Sequence, residues 1–400
     1  MIILRKISLV DKTKDLFMKI IKKISAIFLA FLFVASLKSV SAQRAYAFEC
    51  SGKSAYLMDY DSKSVVFKHN EEERLPIASM TKIMLLDIVF SAVESGELLF
   101  DDCITVSENA SGMGGSQVFL QANKKYKVND LIKCVVIASA NDASVALAEQ
   151  ISGSEENFVL LMNEKAAEYG LKNTLFSNCT GLPKATQYSC AKDVAKMFCA
   201  LLSHDDYFRY SGIWLDELVH PDGSKTTLTN TNKLAKFYSG CDGGKTGFTS
   251  ESRFCLAATA KRGDMRLVAV VIGENDSKTR FKDVSDMFNN GFNGYKSTTV
   301  LPKDSPCDVL VSVKGAKDEK FECYPEENVN VFSGKNDKVD YKVEKIVYEN
   351  LQAPMRKGDA VGEAVLFVNG VENSRVKLVI GCDVERLGYS GTFSKIAGNW

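Results

Sequence analysis

The sequence predicts an α+β domain, an antiparallel sheet covered by helices, followed by a smaller all-β domain. Residues 54–70 and 241–273 alternate apolar and polar or small side chains about turns, and helical apolar spacing fills much of the chain between them. Beyond about residue 298 the helical spacing gives way to short β-type segments separated by Lys/Asp/Gly/Asn turns, which read as a small sandwich over 298–383. At 400 residues and 46% hydrophobic, the chain is long enough for two such cores.

The first 42 residues stand outside both. Lys22 and Lys23 precede the apolar run ISAIFLAFLFVASL, and VSA at 40–42 supplies small residues for cleavage, the pattern of a secretory signal peptide. That run is short for a membrane span, which needs about 20 residues. AYA at 45–47 offers a second cleavage site. Removing residues 1–42 takes away eight Lys/Arg and two Asp/Glu, leaving 42 basic against 48 acidic residues. A mildly acidic protein without a basic stripe excludes nucleic acid as the expected partner.

SAYLMDY and SVVFKHN flank the turn Asp61-Ser62-Lys63 and form the first hairpin. After Pro76, ASMTKIMLLDIVFSAVESG has helical apolar spacing and stops at Gly96. Further helices are expected at 128–138, 142–151, 155–169 and 187–202, with a loop-rich stretch, FSNCTGLPKATQYSCAKD, before the last. CDGGKTGF, RFCLAATA and MRLVAVVIG then read as three strands, the last two joined at KRGD, and a helix near 278–292 closes the domain.

All eleven cysteines follow residue 42, an odd number with no Cys-x-x-Cys pair, so a disulfide framework is not expected. Buried free thiols are the simpler reading, with one bridge, Cys307 to Cys323, left open. No zinc spacing appears, and His69, His204 and His220 read as surface histidines. The expectation is therefore no metal and no organic cofactor.

Chemistry enters at Ser79 and Lys82, which fall on one face of a helical turn. A serine hydroxyl needs a base, and a lysine kept neutral by burial supplies one. The spacing alone is weak, because Ser189 and Lys192 repeat it at a helix start, where Ser189 reads as an N-cap or turn residue. Ser139-Ala140-Asn141 lies between two apolar helices, where a plain helix cap would explain it as well, and Ser107-Glu108-Asn109 imitates it. Lys245-Thr246-Gly247 sits on an expected strand among glycines. Taken in order on helix, loop and strand, the three form the set used by penicillin-recognising serine enzymes.

On these motifs residues 48–297 resemble a low-molecular-weight penicillin-binding protein of the serine D-alanyl-D-alanine carboxypeptidase family, peptidase family S11. NTNKLAKFYSGCDGGKTGFTSESRFCLAATAKRGDMRLVAVVIG resembles the family's run through its strand motif, and APMRKGDAVGEAVLFVNG resembles its C-terminal β domain. The resemblance implies a β-lactamase/transpeptidase-like catalytic domain, peptidoglycan stem peptides as substrate, β-lactams as covalent inhibitors, and an extracytoplasmic site of action. It also implies roles. Ser79 is the nucleophile and Lys82 its base, Ser139 relays a proton, and Asn141 positions the substrate amide. Lys245, Thr246, Gly247 and Arg280 bind substrate, the last through its carboxylate, and the backbone N–H groups of Ser79 and Phe248 hold the oxyanion. Thr231 stands where some relatives carry a second basic residue.

Competing activities are narrowed by what the chain lacks. No Gly-x-Ser-x-Gly elbow surrounds Ser79, and no Glu-x-x-x-Asn lies between Ser139 and Lys245 to serve a class A β-lactamase. A D,D-endopeptidase would use the same nucleophile. A non-catalytic cell-wall binding module would keep the fold and stay unlabelled by penicillin. Many relatives end in an amphipathic membrane-surface helix; here the tail 384–400 spaces Phe393, Ile396, Ala397 and Trp400 helically, but Gly388, Gly391 and Gly398 weaken it. A loose peripheral contact, or none, competes evenly with a stable anchor.

Overall fold

The computed structural model describes residues 49–303, 305–318 and 320–388. The expected signal segment and most of the tail, including Phe393 and Trp400, lie outside the described residues.

The first hairpin, β1 (Ser54–Asp59) and β2 (Val65–His69), joins three long strands, β3 (Cys241–Thr249), β4 (Arg253–Arg262) and β5 (Met265–Glu274). They form one five-stranded antiparallel sheet in the order β2-β1-β5-β4-β3, with β3 at one edge. Period-two alternation decides which face each side chain meets. Leu267, Ala269 and Val271 of β5 pack with Val284, Met287 and Phe288 of helix Ser277–Gly294. Val268, Val270 and Ile272 face the opposite core, made with the other helices. β5 is therefore apolar on both faces, as a central covered strand must be.

Within that second core, helix α1 (Lys82–Glu94) buries Ile83, Met84, Leu85, Leu86, Ile88, Val89 and Phe90. A helix buried nearly all round is held by many such side chains, each contributing about 1.5–3 kcal/mol on burial. Around it lie α2 (Val128–Ala138), α3 (Asn141–Ser152), α4 (Glu155–Glu168) and α5 (Ala191–Leu201), before α6 (Ser277–Gly294) on the far side of the sheet. α5 starts later than the spacing suggests, because Cys190, not Ser189, is its N-cap: Sγ accepts from the Asp193 N–H. Ser189 instead forms a backbone bridge with Leu75. Two small two-stranded sheets, Cys103–Thr105 with Lys125–Lys127 and Leu215–Val219 with Lys225–Thr229, were not visible as patterns, being three to five residues per strand.

The C-terminal region is all β. Tyr295–Leu301 pairs with Val329–Gly334, and a five-stranded sheet runs Leu310–Ser312, Lys320–Pro325, Val371–Ile380, Ala360–Val368, Tyr341–Val347. Val311, Cys323, Val331, Leu366 and Leu378 belong to one shared core. Cys307 and Cys323 lie in that core as free thiols, with the Cys307 N–H donating to the Cys323 carbonyl at 2.7 Å. All eleven cysteines are free, and only Cys103 and Cys382 are exposed.

Two histidines depart from expectation. His204 and His220 are buried at 6% and 5% exposure. His204 Nε2 lies 3.2 Å from Asp87 Oδ1 and Nδ1 lies 2.8 Å from Glu94 Oε1, while His220 meets Tyr126 Oη and Thr226 Oγ1. Both are polar ties in the core, to Asp87 and Glu94 for His204 and chiefly to distant Tyr126 for His220; His69 is exposed, as read.

Candidate active site

Ser79 lies in a 3₁₀ turn, Ala78–Thr81, that runs directly into α1 at Lys82. Ala78, just before it, has φ +47°, a left-handed conformation that costs a non-glycine residue about 1–2 kcal/mol. Neighbours hold it there. Gly181, at φ +83°, packs so closely on the Ala78 carbonyl that any Cβ would overlap it. On the other side, a Cβ on Gly247 would meet the Ile77 carbonyl oxygen at 2.6 Å. The serine turn is thus wedged between edge strand β3 and the loop around residue 181.

Lys82 is fully buried. Its Nζ lies 3.2 Å from Ser79 Oγ, 2.7 Å from Asn141 Oδ1 and 2.6 Å from the Thr180 carbonyl oxygen. The two carbonyl oxygens can only accept. A neutral amine has two N–H bonds and one lone pair, so these acceptors take both hydrogens and leave the lone pair for the Ser79 hydroxyl. Burial pushes the Lys82 pKa down to about 7, against smaller upward pulls from Cys179 and Asp142.

Ser139 caps α2 in the left-handed region, φ +63°, and Asn141 opens α3 two residues later. This kink turns both side chains toward Lys82 and the strand motif. Asn141 donates through Nδ2 to the Gly114 carbonyl at 2.6 Å, which fixes its oxygen on Lys82. Lys245, on β3 and 2% exposed, donates to Ser139 Oγ at 2.7 Å. Desolvation drives its pKa well below the usual value, and repulsion from Lys82 and then Arg280 adds to this. Burial depresses Lys82 as expected from the sequence, while the repulsion between the two lysines falls on Lys245.

Arg280 is not a solvated charge at a helix start. It is buried on α6, and Nη1 donates to the carbonyls of Gly247 at 3.1 Å and Cys255 at 3.2 Å, so its guanidinium stands beside the strand motif. Burial lowers its pKa to about 10, and it stays cationic at neutral pH. Thr246 is buried next to Lys245 on β3, whereas Phe248 is 55% exposed, its ring 4.4 Å from that of Phe254. Thr231 donates its N–H to the Ile137 carbonyl and lies next to α2.

The look-alikes are elsewhere. Lys192 makes a surface ion pair with Glu72 at 2.7 Å, and Ser107 caps a short helix by accepting from the Ala110 N–H. Among the described residues, the grouping of metal-ligating types is Cys50, Glu274 and Asp283, tied together by Ser51. Burial, then the neighbouring Asp283, raises the Glu274 pKa against the hydrogen bond from Ser51.

A family model described as D-alanyl-D-alanine carboxypeptidase matches residues 38–276, and one described as the C-terminal domain of penicillin-binding protein 5 matches residues 295–386. The chain belongs to the D-alanyl-D-alanine carboxypeptidase family. D-alanyl-D-alanine carboxypeptidase DacF of Bacillus subtilis is 40% identical over 349 residues, covering 87% of this chain and 90% of its own. DacC of Escherichia coli is 32% identical over 377 residues, 90% of this chain and 92% of its own. The crystal structure of penicillin-binding protein 5 from Haemophilus influenzae superposes with a TM-score of 0.66 at 29% identity, covering 84% of this chain and 98% of that one.

One member of this candidate site was missed from sequence. The Thr180 carbonyl comes from the backbone of a loop and has no side-chain signature. The available signal was Asn178 followed by Gly181, a pairing that marks a tight turn.

Proposed function

We propose that this chain is a serine-type D,D-carboxypeptidase that removes the terminal D-alanine from peptidoglycan pentapeptide stems and is acylated by penicillins. The observation that carries the reading is a buried lysine with a pKa near 7, whose Nζ sits 3.2 Å from one serine hydroxyl. Near neutral pH about half of such lysines are free bases.

Ser79 Oγ attacks the carbonyl carbon of the penultimate D-alanine as its proton passes to Lys82 Nζ. The carbonyl π electrons move onto oxygen, where the N–H groups of Ser79 and Phe248 receive them, at about 3 kcal/mol per donor. Collapse breaks the C–N bond, and the proton held by Lys82 passes through Ser139, whose Oγ Lys245 holds, to the departing amine, which leaves Lys82 neutral again. Water then attacks the ester and gives a proton to Lys82, which passes it to Ser79 Oγ as the C–O bond breaks, restoring the hydroxyl and the neutral amine. Arg280 supplies positive charge for the free carboxylate of the substrate, its planar fork suiting that group, and Lys245 adds N–H donors whose charged form a bound carboxylate favours.

Export by residues 1–42 and action outside the cytoplasmic membrane fit a peptidoglycan substrate. Among the described residues no helix is long and apolar enough to cross a membrane. Intact mass after penicillin treatment, with Ser79→Ala and Lys82→Ala as controls, tests the acyl-enzyme; D-alanine release from a pentapeptide tests the reaction. A wild-type protein that gains no penicillin mass overturns the proposal. Release from cross-linked dimers but not from pentapeptides would make the protein an endopeptidase.

A further inference from the structure

The direction of the Lys82 lone pair depends on an oxygen that belongs to a loop. Thr180 is held by Asn178, whose Oδ1 accepts from the Thr180 N–H at 3.2 Å and the Gly181 N–H at 2.7 Å. Asn178 Nδ2 closes the turn by donating to the Leu182 carbonyl at 2.8 Å. Gln187 anchors this turn in its own way: Oε1 accepts from the N–H groups of Ser177 at 2.9 Å and Asn178 at 3.1 Å. Its Nε2 reaches Thr81 Oγ1 at 3.4 Å, on the same turn as Ser79. Both amide side chains are 7% exposed. No part of the proposed mechanism uses either as a reacting group.

We propose that Asn178, anchored by Gln187, is a positioning residue that aims the Lys82 lone pair at Ser79 by fixing the Thr180 carbonyl. The inference rests on the serine–lysine reading above. With the carbonyl in place, both Lys82 N–H bonds are occupied and only the lone pair faces the hydroxyl. If the turn opens, Lys82 keeps one acceptor, Asn141, and can rotate an N–H toward Ser79, an orientation that cannot take a proton. Gly181 belongs to the same turn and presses on Ala78, so one clamp orients both base and nucleophile.

The test is the acylation rate constant with a fluorescent penicillin from about pH 5.5 to 9.5, spanning the expected protonation of Lys82. Wild type, Asn178→Ala and Asn178→Asp are compared, each per mole of active protein. Asn178→Ala should lower the high-pH plateau by about 10- to 100-fold, the usual cost of misaligned groups. Asn178→Asp keeps the acceptor for Thr180 and Gly181 and loses the bond to Leu182. It should restore most of the plateau while its added negative charge moves the midpoint up by about one pH unit. Unchanged plateau and midpoint in both variants, with only thermal stability altered, would make Asn178 a purely structural residue and overturn the inference. If the alanine variant does not fold, Gln187→Ala, which removes the anchor of the same turn, decides in its place: a lowered plateau supports the clamp and an unmoved one removes it. A wild-type chain that never reacts with penicillin sinks the underlying reading, whereas a reactive wild type with unaltered variants sinks only this inference.

Discussion

Lys245 donates to Ser139 Oγ at 2.7 Å across 106 residues of chain, joining the strand motif to the loop motif in one buried bond. Lys245→Ala leaves that hydroxyl without its donor and removes an N–H donor from the proposed carboxylate site. Acylation by penicillin should fall by about 100-fold or more, since proton transfer and positioning are lost together. Stopped-flow labelling measures this, and a loss under threefold would mean that Ser139 needs no such anchor.

Lys82 serves as a base only when neutral, and its pKa is held near 7. The acylation rate of wild type should therefore climb through an acid limb centred near pH 7 and level off above it. A limb centred near pH 10, the ordinary lysine range, would show that burial does not tune this group. Lys82→Arg should abolish the limb and nearly all activity, because arginine stays charged.

Gly181 carries a positive φ and touches the Ala78 carbonyl. In Gly181→Ala the new methyl must displace the serine turn. Acylation should slow by about 100-fold, with thermal stability reduced by about 1–3 kcal/mol from backbone strain. Calorimetry and labelling on one sample check both effects; retention of full acylation would show that the turn tolerates movement.

His204 joins Asp87 and Glu94 of α1. Desolvation opposes the charged ring, but hydrogen bonds to these two carboxylates outweigh it and raise the pKa above 6.5. A raised folded-state value stabilises fully below the unfolded value of about 6.5 and fades as pH rises through the folded one. His204→Gln should thus lower the melting temperature more at pH 5.5 than at pH 9. An equal loss at both would show that the ring contributes by packing alone.

Cysteine reactivity should follow burial. Iodoacetamide under native conditions should modify Cys103 and Cys382, the exposed thiols, well before Cys134, Cys255 or Cys323. Peptide mapping reads the order directly.

Much of the fold was legible. Alternation in residues 241–273 predicted three strands and the helix after them, and apolar spacing predicted the helices near 128–138 and 155–169. The small two-stranded sheets at 103–127 and 215–229 were missed because strands of three to five residues carry too few alternations to rise above chance. The start of α5 was expected near 187 rather than at Ala191, because Cys190 is a rare cap and the backbone bridge of Ser189 to Leu75 leaves no local pattern.

By itself the sequence determined the order of the three motifs, the period of each element and the chemical types available at the site. Those follow from local rules: 3.6-residue and two-residue repeats, the stop at glycine, and the donors and acceptors of each side chain. Only the tertiary structure decided that Lys82 is buried enough to be neutral and that Thr180 lends it a carbonyl. It also buried His204, His220 and Arg280 and left Ser189 and Lys192 away from the reactive cleft. Burial and electrostatic coupling are summed over neighbours about a hundred residues apart in the chain, and a local pattern holds no record of them.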